Sequence, residues 1–106
     1  MNESHAVLWR KGSGPIYSGK VELGAHGLRL EGLCHGRQRS VTTIRYEDLV
    51  GLSLTRSPAR CVYGKLTLML ELRGGGAVGI TSRDGFATVR ELEERITNLV
   101  PRIPVD

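Results

Sequence analysis

The chain has 106 residues, 40% hydrophobic and 25% charged, with a formal charge of +4. That is the length of one domain, and such a chain buries roughly 60–70% of its unfolded surface without disulfide or metal support. No apolar run approaches the roughly 20 residues of a membrane span. The start, "MNESHAVLWRKG", lacks a basic-then-apolar leader, and no dense basic run marks a nucleic-acid arm, so a cytoplasmic chain with no nucleic-acid partner is expected.

Fourteen glycines and five aromatic residues (one Trp, three Tyr, one Phe) suit a turn-rich β protein better than a helical bundle. Seven segments read as strands by alternation and by the breakers between them. "AVLWR" (6–10) opens and "GSGP" (12–15) breaks it; "IYSGKVEL" (16–23) and "LRLEGLC" (28–34) flank "GAHG". After "HGR" come "QRSVTTIRY" (38–46), the corner "EDL", and "VGLSLTR" (50–56). A loop with Ser57-Pro58 leads to "VYGKLTLMLELR" (62–73), and a "GGG" turn returns the chain through "AVGIT" (77–81).

The last segment changes period. In "DGFATVRELEERITNLV", Phe86, Val89, Leu92, Ile96, Leu99 and Val100 are spaced three and four apart, one stripe of a helix. Ser82 or Asp84 caps its start, Pro101 limits its end, and Glu91 with Arg95 forms a favourable i, i+4 pair on the wet face.

Two hairpins can be registered by charge and alternation. Joining Leu23 to Leu28 across "GAHG" also matches Val21 with Leu30, putting four apolar side chains on one face. The other face then pairs Glu22 with Arg29 and Lys20 with Glu31, each worth ~0.2–1 kcal/mol. In the last hairpin, a three-residue loop at 74–76 would set Leu72 against Val78 and Leu70 against Ile80.

Candidate chemistry is thin. "GGGAVG" (74–79) matches G-x-G-x-x-G, but it runs into a strand where a dinucleotide site needs a helix. Cys34 and Cys61 are expected to be reduced. Cys34 and His35 are neighbours, which in a strand point to opposite faces, so no metal set follows. His5 and His26 lie among Gly and polar residues, and His26 reads as an exposed turn residue. Glu47 and Asp48 are adjacent acids between two strands, where both are solvated; an acid–base pair needs two differing environments. They read as a corner. No catalytic residue, metal or cofactor is expected.

A strand ending "IRYEDLVGLSL", preceded by "GKVELGAHGLRLEG" and closed by "SRDGFATVRELEERI", resembles the bacterial pleckstrin-homology-like domains over residues 6–100. The resemblance implies one domain of mainly β class: seven antiparallel strands in two near-orthogonal sheets, a barrel or sandwich capped by one C-terminal helix. It also implies a binding platform for lipid headgroups, peptides or proteins. Lys11 and Lys20 fit the first two places of the family's phosphoinositide pattern, but Glu22 stands where its last Arg belongs. The helix lacks the Trp of many members, and Phe86 is expected to take its packing place. "GKVELGAHGLRLEG" is also a little similar to PilZ nucleotide-binding barrels, though their ligand motifs, Arg-x-x-x-Arg and Asp-x-Ser-x-x-Gly, are missing.

With pleckstrin-like topology, the loops near 11–15, 34–38 and 74–76 share the end opposite the helix. Arg10, Lys11, Arg37, Arg39 and Arg73 would gather there, a rim suited to phosphate or carboxylate. The expected function is a non-enzymatic module for protein–protein or self-association, because small β domains expose pairing edges. The alternative is an anionic ligand or membrane headgroup held on the Arg/Lys rim, with peripheral membrane contact.

Overall fold

A computed structural model describes residues 3–57, 62–83 and 86–99. The elements in order are β1 (Glu3–Lys11), β2 (Tyr17–Leu23), β3 (Gly27–Cys34), β4 (Gln38–Arg45), a 3-10 turn (Tyr46–Asp48), β5 (Leu49–Thr55), β6 (Thr67–Leu72), β7 (Ala77–Ser82) and α1 (Phe86–Leu99). The seven antiparallel strands form a curled half-barrel with the one helix at its C-terminal end. Their order is β4-β3-β2-β1-β7-β6-β5. The two sheets that the resemblance implied are two arms of one sheet. β1 joins them, pairing with β2 along Glu3–Trp9 and with β7 along Val7–Lys11.

The junction is organised by Trp9. Its side chain is fully buried, its indole N–H donates to the Glu31 carbonyl at 3.1 Å, and its ring stacks on Tyr17 with centroids 4.7 Å apart. A buried indole needs such a partner for its N–H. β2 and β3 approach so closely here that a Cβ on Gly19 would stand 2.0 Å from that same carbonyl oxygen. Only glycine fits.

The β2–β3 register is as the charge pattern requires: Val21 opposite Leu30, Leu23 opposite Leu28, Glu22 opposite Arg29 and Lys20 opposite Glu31. The four apolar residues are buried on one face. The β6–β7 register corrects the expectation by two residues, with Leu70 opposite Val78 and Leu68 opposite Ile80. The turn takes in Leu72 through Gly76, whose φ values of 97° at Gly74 and 100° at Gly75 are ones glycine adopts freely. A two-residue slip leaves every side chain on its expected face.

β6 and β7 are covered on both faces. Inside, α1 packs against them through Val89, Leu92 and Ile96, all within 1% of full burial. Outside, the segment 62–66 folds back over them: the Thr81 hydroxyl donates to the Leu66 carbonyl at 2.8 Å, and Thr67 Oγ1 accepts from the Val62 amide at 2.8 Å. Hence Thr67, Met69 and Thr81 are buried although they face away from the core. Ser82 ends β7 and is buried there, while Asp84, Val100, Pro101 and the Phe86 side chain lie outside the described part.

Candidate functional site

The acids at 47 and 48 close a one-turn 3-10 corner between β4 and β5. Tyr46 anchors it, its hydroxyl donating to the Gly24 carbonyl at 2.8 Å and its amide to the His26 carbonyl at 3.0 Å. Glu47 is exposed and paired with Arg45. The Asp48 carbonyl accepts the Arg73 amide at 2.8 Å, and the Glu47 carbonyl accepts an Arg73 guanidinium N–H at 2.9 Å.

Those bonds remove Arg73 from the expected rim. They hold it at the β4–β5 corner, because the pairing of Leu49 with Leu72 carries residue 73 against the carbonyl ends of the 3-10 turn. Arg39, at the start of β4, has a local acid, since its guanidinium lies 3.6 Å from Glu31 on the outer face of the sheet. Lys11 and Arg37 are exposed, and Arg10 is half-buried.

The structure gathers a different set around Arg10. An open cleft of about 430 Å³ is lined by Leu8, Arg10, Gly14, Pro15, Ile16, Ser18, Leu33, Cys34, His35, Gly36 and Tyr63. The β1–β2 and β3–β4 turns therefore share an end, joined by the 62–65 turn. His35 and Gly36 have φ of 54° and 69°, and Tyr63 and Gly64 have 52° and 69°. Arg37 N–H donates to the Cys34 carbonyl at 3.2 Å, and Lys65 N–H to the Val62 carbonyl at 3.1 Å. Paired left-handed residues of this kind mark type I′ turns, whose first place favours Asn, Asp or Gly. Filling it with His and Tyr costs on the order of 1 kcal/mol each. Both lie at turns lining the cleft, and the Tyr63 side chain is 68% exposed. A guanidinium, an imidazole and a phenol here can bind an anionic or hydrogen-bonding group. Tyr63 was hidden in the sequence inside a presumed long strand, where an isolated Gly64 after Tyr is no more than the mark of a bulge.

The second surface is the outer face of β2–β4. Glu31 meets Lys20 at 3.4 Å, Arg29 at 3.3 Å and Arg39 at 3.6 Å, and Glu22 meets Lys20 at 3.3 Å. Lys20 meets Glu31 as the pattern implied, but Arg29, set opposite Glu22, meets Glu31 two residues along its own strand. The acids hold the Lys20 ammonium above its ordinary pKa, chiefly through the Glu22 hydrogen bond.

Cys34 is a buried free thiol, and Cys61 lies outside the described residues. Among the described residues no three His, Cys, Asp or Glu side chains group as a metal set, and no described helix is long and apolar enough to cross a membrane.

No protein-family model and no curated protein matches the chain. Among solved structures, it is similar to the C-terminal domain of an unknown protein from Leishmania infantum. The two are 13% identical with a TM-score of 0.60, over 89% of this chain and 81% of that one. At that identity the likeness is one of fold alone.

Proposed function

We propose that this chain is a non-enzymatic binding module of pleckstrin-homology-like type, joining another polypeptide through the open edge of its sheet. The observation that carries the reading is the strand order, in which β4 and β5 each have a neighbour on one side only among the described residues. An edge strand offers unpaired N–H and C=O groups, and adding an extended segment to it is a recurring recognition mode. The two edges differ. β5 is bulged between Leu49 and Gly51, which breaks its ladder. β4 pairs with β3 residue by residue from Gln38 to Arg45 and has no proline or glycine. β4 is therefore the better template.

The test compares wild type with Val41→Lys, a charge set on the exposed face of β4. Either sedimentation over a wide concentration range or affinity capture from cell extract should show association that the variant loses while keeping its melting temperature. Equal association by both proteins, or none by the wild type, overturns the reading.

A second reading is favoured by the cleft: Arg10, His35 and Tyr63 line it, Lys11 ends β1 and Arg37 lies in the β3–β4 turn, which suits an anionic ligand or headgroup and peripheral membrane contact. Binding to anionic vesicles would then fall with salt, as charges are screened over roughly 8 Å near physiological ionic strength, and would be lost in Arg37→Glu. Binding that ignores salt or survives the substitution overturns it.

A further inference from the structure

We infer that the occupant of the β4 edge is an acidic extended segment of a different protein, reading acid-x-x-Thr-apolar-x-acid antiparallel to β4. This rests on the edge-binding reading above and names the partner's chemistry.

The exposed face of β4 carries Arg39, Val41, Thr43 and Arg45. Arg39 and Arg45 are 67% and 65% exposed, and Val41 is 44% exposed. Behind them a single carboxylate, Glu31, is shared among Lys20, Arg29 and Arg39. Glu22 and Glu31 together face three cations, so positive charge is left over at the edge. Arg45 has Glu47, but a pair between two well-exposed side chains is weak and easily shared. Carboxylates opposite positions 39 and 45 would meet that excess, and an apolar residue opposite Val41 would cover its exposed side chain.

A second copy is a poor occupant. Two-fold antiparallel pairing about Thr42 sets Arg39 directly against Arg45 of the second copy. Pairing about Val41 sets Arg45 against Arg37. Like charges directly opposite are destabilising, so both near-full-length registers are disfavoured. Nor can another segment of the same sequence substitute, since no two of its acids stand six positions apart.

Thr42 supplies the middle of the pattern. It alternates to the inner side of β4, and its hydroxyl is buried without a hydrogen-bond partner among the described residues. Such a group is costly to leave unmade. A Thr directly opposite on an added strand would have its Cβ about 4.5–5.5 Å away, and Thr–Thr pairs hydrogen-bond across strands at that spacing.

The experiment uses synthetic peptides carrying Glu-x-x-Thr-Val-x-Glu, the same with Lys for Glu, and the first with Val for Thr. Each is titrated into the ¹⁵N-labelled protein, with affinity read by fluorescence anisotropy. The acidic peptide should shift β4 and β3 amides and bind about tenfold tighter than its lysine counterpart. An Arg39→Glu, Arg45→Glu double variant should reverse that preference. Thr42→Val should weaken the Thr peptide a few-fold and leave the Val peptide unchanged. Equal affinity for both charges with shifts on β4 overturns the inference while edge binding survives. No shift on β4 with any peptide sinks both. A wild-type dimer through β4, or β4 shifts produced by phosphatidylserine vesicles and not by peptide, also overturns it.

Discussion

The β2–β3 and β6–β7 hairpins are each antiparallel pairs of apolar-alternating strands, yet they are held in different ways. β2–β3 buries one face and leaves the other to Lys20, Glu22, Arg29 and Glu31. β6–β7 is covered inside by α1 and outside by the 62–66 segment. A one-sided pair can place charges that reward one register over its two-residue neighbour. On its core face a two-sided pair has only apolar matches, and Leu68, Leu70 and Leu72 are interchangeable in that respect. Its register falls to the glycine turn and to the Arg73 contacts with the corner at 47 and 48. The first pair trades burial for specificity, and the second does the reverse.

The largest effect should come from stripping the inner cover. Leu92 is 1% exposed and packed in the core with Leu68 and Ile80. Leu92→Ala should cost about 2–5 kcal/mol in urea unfolding, through lost transfer energy and the cavity left behind. A loss under about 0.5 kcal/mol would mean that α1 does not seal β6–β7. The outer cover is probed by Gly79→Ala, whose added Cβ would lie 3.2 Å from Thr67 Cγ2 and 3.3 Å from Met69 Sδ. These are side-chain atoms with some freedom, so the cost should be smaller, about 1–3 kcal/mol. Gly19→Ala meets backbone instead and should fold far worse than Gly79→Ala. Equal stability of the two variants would dissolve the contrast between an exposed pair at close backbone approach and a covered one.

Next in size is the turn that starts the outer cover. Tyr63 occupies a left-handed position where Asn is better tolerated. Tyr63→Asn should raise stability by about 1 kcal/mol, because the phenol is exposed and contributes little packing. A destabilised variant would show that Tyr63 holds the 62–66 cover in place. Stability gained with vesicle or small-anion binding lost would match the cost of a strained functional residue.

The same contrast explains what could be read from the sequence. Strand positions, the helix and the β2–β3 register follow from alternation, period and opposite charges, all local signals. Leu92 and Ile96 were legible as core because a stripe has nowhere else to go. The corner at 47 and 48 was legible from its place between two apolar runs. The β6–β7 register was not, since three leucines in alternation admit more than one match. The candidate cleft was half legible. His35 and Arg10 lie beside recognisable turns, but Tyr63 reaches them only because 62–66 folds over β6–β7, a long-range event with no local mark. The partners of Arg39 and Arg73 were not legible either: Glu31 reaches Arg39 across the β3–β4 hairpin, whose register no charge pattern marked, and the Glu47 carbonyl reaches Arg73 through tertiary placement.

The smallest effect tests the charged side of the comparison through Lys20. Its pKa is raised above the ordinary 10.5, first by the hydrogen bond it donates to Glu22, then by the charges of Glu22 and Glu31. A cationic group whose folded pKa is raised contributes stability that is complete below its unfolded pKa and lost as pH climbs through the folded value. The contribution is therefore constant across neutral pH and fades only above 10.5. Following the Lys20 side chain by NMR, Glu22→Gln should bring its titration down further than Glu31→Gln does, because Glu22 supplies the leading cause. High salt should shrink both differences, since these side chains are partly in water. If neither substitution moves the Lys20 titration, the ammonium is free in solution. The β2–β3 register would then rest on its turn and apolar face alone, and the distinction from β6–β7 would reduce to the length of a loop.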